Sequence, residues 1–392
     1  MLALRLARGA HALVQLRRLM VAAASAGVGF LLLCALTYAL AHPGDSGATL
    51  RLLWCLVPLA ATVYFAVAVA RTDPGTRPRP GLSSVGLGPA RLTAVAAATT
   101  AVAATLGSAV ALLFFLHLRG DLTGLPFDGA AADLLAAGES LPLGAALLLL
   151  ALVPLTASGA AALALRPGGG RGAPAQEASE GTEDVAQEVP PAAPAGLPWG
   201  VALVAAGLAV EAYAGGRPGG RTVPLPGQAE NLPAAVLGGW CLTALGLWLA
   251  GPALTHLCGR LLQAFRPGAT RLLAGRILMS EARRIGRPLG VVCAVASAGL
   301  ASATVYGGSG SPWGPLTVLG AVLVAACTGA TLLTAALEAR RSREATNAAL
   351  LRMGASPTAL RRAAAVRVGA LLLLFVPLTW AVAVLAAAPL TG

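Results

Sequence analysis

The chain has 392 residues, of which 57% are hydrophobic and 11% charged, with a mean hydropathy of +0.76. Soluble domains carry about a quarter charged residues, so this composition excludes an ordinary soluble protein and points to a bilayer. The net charge of +12 calls for no nucleic acid, because arginine facing an anionic lipid leaflet accounts for it.

In chain order, apolar runs long enough to cross about 30 Å of hydrocarbon as helices lie at Met20–Ala39, Leu52–Ala70, Leu92–Leu116, Leu141–Leu165, Leu197–Ala214, Leu232–Leu257, Leu289–Tyr306, Gly314–Leu337 and Val366–Ala388. The expected fold is therefore all-α and polytopic, with about nine transmembrane helices. Arg5, Arg8, Arg17 and Arg18 precede the first run, and no small-residue cleavage site follows it. That run reads as a retained anchor and not as a signal peptide.

All 28 basic residues are arginine, and basic residues in short loops stay cytoplasmic. With the N-terminus inside, only Arg51, Arg119, Arg217 and Arg221 fall outside, and the other 24 fall inside. This predicts a multi-pass cell-membrane protein with a cytoplasmic N-terminus and an external C-terminus.

One linker divides the chain. Residues 166–198 are rich in Gly, Pro and acidic side chains, a composition that buries no core and reads as a disordered cytoplasmic connector. The halves on either side share a pattern. "LSSVGLGPARL" at Leu82–Leu92 and "LLRMGASPTAL" at Leu350–Leu360 both read L-x3-G-x2-P-x2-L, so that Gly86 matches Gly354 and Pro89 matches Pro357. Upstream, Arg17–Arg18 before "AAASAG" echoes Arg283–Arg284 before "AVASAG". The shared order predicts a parallel internal repeat: residues 1–165 with four spans, and 259–392 with three. Residues 199–258 are a two-span insertion.

The second of these loops is informative by itself. Glu338–Met353 is built of good helix formers, Gly354 supplies a left-handed helix terminator, and Ser356–Pro357 supplies an N-cap and a first-turn residue. The expectation is helix, break, helix. Beyond the break, Arg361, Arg362 and Arg367 are placed to reach lipid phosphates.

The polar residues inside the spans offer little chemistry. Cys34, Cys55, Cys241, Cys258, Cys293 and Cys327 lack metal-ligand spacing and read as packing residues. His11, His42, His117 and His256 are scattered near span ends, and neither H-E-x-x-H nor G-x-S-x-G occurs. No metal, cofactor or catalytic site is expected. Glu211, near the outer end of the fifth run, has two readings: an intramembrane polar site on a substrate or proton path, or a headgroup-level residue beside Arg217. With no lysine in the chain, a G-x4-G-K-[ST] phosphate loop is impossible, and ATP hydrolysis by that chemistry is excluded.

"AALLRMGASPTALRR" at Ala348–Arg362 resembles the final cytoplasmic loop of the FtsX-like permeases, also called MacB-type or type VII ABC transporter permeases. "ILMSEARRIGRPLG" is similar to their amphipathic entry helix. The resemblance is strongest over Leu272–Ala388 and weaker over Leu4–Leu165. It implies a permease subunit that couples ATP hydrolysis by a separate ABC ATPase chain to export or extraction of a hydrophobic or amphipathic substrate, or to force transmission. It further implies that Glu344, Leu350, Leu351, Arg352, Gly354 and Pro357, with Gly86 and Pro89 of the first half, couple to that ATPase. The chain departs from the family in lacking a sizeable outer domain, since His42–Arg51 and Gly307–Trp313 are short, in having three spans in its second repeat, and in the longer distance from Glu344 to Gly354. The alternative reading is a non-transporting scaffold or sensor derived from such a permease.

The arginine asymmetry yields a direct test. On a cysteine-free background, a cysteine placed at Ala131 is expected to react with an impermeant reagent in intact cells, and one placed at Ala178 is not. Labelling at Ala178 would overturn the orientation.

Overall fold

The computed structural model describes residues 12–73, 89–122, 126, 128–166, 194, 196–215, 222–224, 231–264, 268–306 and 314–391. Its helices are α1 (Ala12–Ala41), α2 (Ser46–Trp54), α3 (Leu56–Thr72), α4 (Pro89–Arg119), α5 (Leu143–Ala164), α6 (Leu197–Gly215), α7 (Ala234–Gln263), α8 (Ala269–Tyr306), α9 (Pro315–Ser342), α10 (Glu344–Arg352) and α11 (Pro357–Thr391). Among the described residues, nine helical stretches are long and apolar enough to cross a membrane. The chain is thus an all-α polytopic membrane protein. A helix is the element that satisfies its own backbone where no water reaches.

Three local features differ from the hydropathy reading. A small antiparallel ladder pairs Thr222–Pro224 with Asn231–Pro233, in a stretch with no alternating apolar pattern. The second span begins early, because α2 precedes α3 and the stretch Gly47–Thr72 forms one candidate span. Asp45 starts α2 by accepting the Gly47 N–H at 2.9 Å and the Tyr38 O–H at 3.2 Å. The bond from the Gly47 N–H is the main reason its carboxyl is held below the usual carboxylate range. Finally, α1 and α8 extend beyond the apolar runs at the end where the arginines cluster, and α7 runs to Gln263, past the boundary expected at 258.

The helices form two bundles. In the first, α1 packs on α3 and α4, and α5 fills the groove that these three form. Val153 of α5 clusters with Val28, Leu32 and Leu59, and Ala157 with Ala24, Phe65 and Ala104. Pro154 has no N–H to give the Leu150 carbonyl one turn earlier. The Ser108 hydroxyl of α4 donates to that carbonyl instead, at 3.2 Å, the kind of repair that makes proline tolerable in a membrane helix.

In the second bundle α8 packs on α7, α9 and α11, and α6 packs on α7 and α11. Glycine sets these approaches. A Cβ at Gly207 would lie 2.7 Å from the Gly239 carbonyl oxygen, one at Gly246 2.7 Å from that of Gly200, and one at Gly251 2.2 Å from that of Gly286. Helix α7 is therefore in near backbone contact with α6 on one side and α8 on the other.

The bundles meet along α9. It lies on α1 and α3, with Leu323 against Gly27 and Thr62 3.6 Å from the Cys327 sulfur.

Gly251→Val is expected to destabilise the protein by about 1–3 kcal/mol through overpacking. The same change at Gly329, where an added Cβ meets nothing within 4 Å, should not lower the midpoint. Thermal unfolding in detergent, followed by the monodisperse fraction, measures both.

Candidate functional site

The helix-break-helix segment has a defined geometry. α10 starts at Glu344, whose exposed carboxylate lies in the first turn, where the helix dipole favours negative charge. The helix closes at its other end by two bonds: the Gly354 N–H to the Leu351 carbonyl at 3.1 Å, and the Ala355 N–H to the Leu350 carbonyl at 3.0 Å. Gly354 has φ +95°, as this double closure requires of the residue after the cap. An added Cβ there would meet nothing within 4 Å, so the backbone conformation, and not crowding, selects glycine. Ser356 then accepts the Ala359 N–H at 3.2 Å, and Pro357 is the first residue of α11.

The tip projects away from the bundle. Met353 is 76% and Leu351 44% exposed, Arg352 and Pro357 are exposed, and Leu350 is half-buried. In the first half, Pro89 likewise opens its helix, α4. Gly86 lies outside the described residues.

Ion pairs tie the segment to the bundle. Arg343, between α9 and α10, pairs with Glu281 of α8 at 3.1 Å and donates to the Ala339 carbonyl at 2.8 Å. Arg284 of α8 pairs with Glu338 of α9 at 3.3 Å. Glu338 is 2% exposed, and with Arg341 it is one of the two charges acting on Arg17 of α1. Arg17 donates to Thr72, and Arg18 pairs with Asp73 at 2.7 Å. A buried carboxylate thus stands near the end of α9, the helix that packs on both bundles, where desolvation makes each partner count.

These pairs repeat a spacing. Arg18 and Asp73 are 55 residues apart, Arg284 and Glu338 54. In each case an arginine of one long helix, α1 or α8, holds an acid at or just past the end of the next long helix, α3 or α9. Glu338, Glu281 and Asp73 were not marked by the sequence. Glu338 and Asp73 sit at the edge of an apolar run and Glu281 eight residues before one, and only helix rotation decides whether such a residue faces protein or water.

Glu211 is 0% exposed. It lies between α6 and α7, where its Oε1 accepts from the Thr243 hydroxyl at 3.2 Å and Oε2 has no partner. Gly239 makes the room, since a Cβ there would fall 2.4 Å from Glu211 Cγ. The carboxyl is thus enclosed by α6 and α7. Arg217 lies outside the described residues. The six cysteines are free, with Cys241 exposed and the rest buried. Among the described residues no three His, Cys, Asp or Glu side chains gather as a metal site.

Compared with family models, with curated proteins and with solved structures, the chain matches none.

Glu338 is buried and its partner Arg284 is half-exposed, so neutralising the acid should cost more than losing the cation. Glu338→Gln is expected to lower stability by about 1–3 kcal/mol and Arg284→Gln, half-exposed at 46%, by less than about 1 kcal/mol. Thermal unfolding in detergent compares them; equal losses would reduce the site to a single pair.

Proposed function

We propose that the chain is the permease subunit of an ABC transporter, a multi-pass protein of the cell membrane with a cytoplasmic N-terminus. In this reading its arginine-rich end docks a separate ATPase chain. ATP-driven closure of that partner pushes on α10 and is used to export or extract a hydrophobic or amphipathic substrate, or to transmit force.

The observation that carries this reading is the tip at Leu350–Pro357. Two hydrogen bonds and a left-handed glycine fix its angle. Exposed Leu351, Arg352 and Met353 form its contact surface, and it runs directly into the 35-residue helix α11. A push on such an element is delivered along a rigid rod. Arg343 and Glu281 brace it against α8.

The parallel repeat supports the same reading. Both halves have an L-x3-G-x2-P-x2-L loop before a span, proline at the first turn of α4 and of α11, and an Arg-acid pair at nearly the same spacing. Two such loops in one chain would present two docking points to a dimeric ATPase, with Gly86 and Pro89 in the first. The resemblance of "AALLRMGASPTALRR" to FtsX-like permeases, and the absence of lysine, fit an ATPase on another chain. In this reading Glu211 belongs to a substrate or proton path between α6 and α7.

The test compares wild type, Gly354→Val and Arg352→Glu at equal expression, with co-purification of the ATPase and its stimulated hydrolysis as readouts. Valine reaches the Gly354 conformation at a cost of about 1 kcal/mol or more, so Gly354→Val should uncouple hydrolysis while the spans stay inserted. Arg352→Glu should weaken association in a salt-sensitive way. Unchanged association and hydrolysis in both variants would overturn the assignment and favour a scaffold or sensor.

A further inference from the structure

Glu211 is the one charged residue of α6, and its carboxyl is 0% exposed inside the candidate span Leu197–Gly215. It stands four residues before Gly215, about 6 Å along the axis from the end of the helix. At that end the paired Asn231–Pro233 strand leads into α7. The surroundings of the acid decide what it can bind.

Its two oxygens are served unequally. Oε1 accepts from the Thr243 hydroxyl at 3.2 Å, and no donor of the described residues reaches Oε2. The oxygen beside the acid is an acceptor as well, since a Cβ at Gly239 would lie 2.8 Å from the Gly207 carbonyl and 3.1 Å from Oε1. A carboxylate can only accept, whereas the acid form makes one oxygen a donor.

Among the described residues no cation is placed to balance a charge there. On α7 the arginine is Arg260, 17 residues and about 25 Å along the helix from Thr243, with His256 and Cys258 in the same last turns. The charged residues of α8 all precede Pro288, while its far end meets Ala214 and Val236 through Val305. On α11, Arg361, Arg362 and Arg367 lie at the opposite end from Pro389, which adjoins Gly215. Tyr213 and Cys241, the titratable side chains nearest in sequence on α6 and α7, are exposed. A charge enclosed without a partner inside hydrocarbon is costly.

Size narrows the ligand further. An added Cβ at Gly239 would collide with Glu211 Cγ, and one at Gly207 with Thr243 Oγ1. Where one carbon does not fit beside the acid, neither an ammonium group nor a metal ion with its shell of ligands fits. A proton needs no such room.

We propose, resting on the path of the preceding reading and not on its ATPase, that Glu211 is a buried proton-binding site, so that the seam between α6 and α7 takes a proton and no organic substrate. In this packed state the proton is on Oε2. Binding and release move one proton between Oε2 and water beyond Gly215, with no other bond made or broken.

Infrared spectroscopy of the purified full chain in lipid vesicles, without ATPase or ATP, tests the proposal. A neutral carboxylic acid has a C=O stretch separate from the amide and carboxylate bands. At neutral pH the wild type should show this band, at lower frequency in D2O. Glu211→Gln should lose it and elute as the wild type does, Glu211→Asp should displace it, and Glu281→Gln and Glu338→Gln should keep it. Four results would each overturn the proposal: no band in the wild type, a band that does not move in D2O, a band that survives Glu211→Gln, or a band that appears only in Arg217→Gln, which would make Arg217 a counter-ion. Because this chain alone is present, none of these outcomes decides the ATPase assignment.

Discussion

Packing of α9 against α1 and α3 is the contact on which the two-bundle arrangement depends. Every packed seam between the bundles involves this helix among the described residues. Inside hydrocarbon there is no hydrophobic drive to hold helices together, because lipid tails are as apolar as leucine. The seam must rest on shape and on the few polar contacts at hand. Leu323 fits over Gly27 and Thr62 reaches the Cys327 sulfur. α9 belongs by sequence to one half and by contact to both, and it continues within two residues into α10.

Much of this architecture was legible because its causes are local. Apolar length marks a span, so the nine stretches follow from hydropathy alone. A glycine followed by Ser-Pro writes a helix stop and a helix start, and Gly354, Ser356 and Pro357 adopt those roles through bonds to residues within five positions of them. The packing role of five of the six cysteines was also readable, since it needs only small apolar character; Cys241 is exposed instead.

What could not be read is rotation and partnership. Hydropathy counts residues along an axis and is blind to which way they face. Glu338 looked like the polar end of an apolar run, and Glu211 could equally have faced the headgroups. Both are fully enclosed because of where α8 and α7 stand. The pair α6 and α7 was legible as two spans. That its second helix is in near backbone contact with α8 depends on glycines 35 or more residues apart in sequence, Gly251 with Gly286, among the 48 glycines of the chain.

That glycine contact decides how the molecule can move. Where a carbonyl oxygen lies against the place a side chain would occupy, there is no layer of flexible side chains to shear or re-pack. Rotation of one helix about its own axis would bring bulk into backbone. α6, α7 and α8 thus lose their relative degrees of freedom and travel as a slab. The side chains that can change rotamer are concentrated along α9, where leucine, threonine and cysteine meet across the bundles. The seam along α9, built of side chains, is the softer boundary, and the slab is the rigid body that it adjoins.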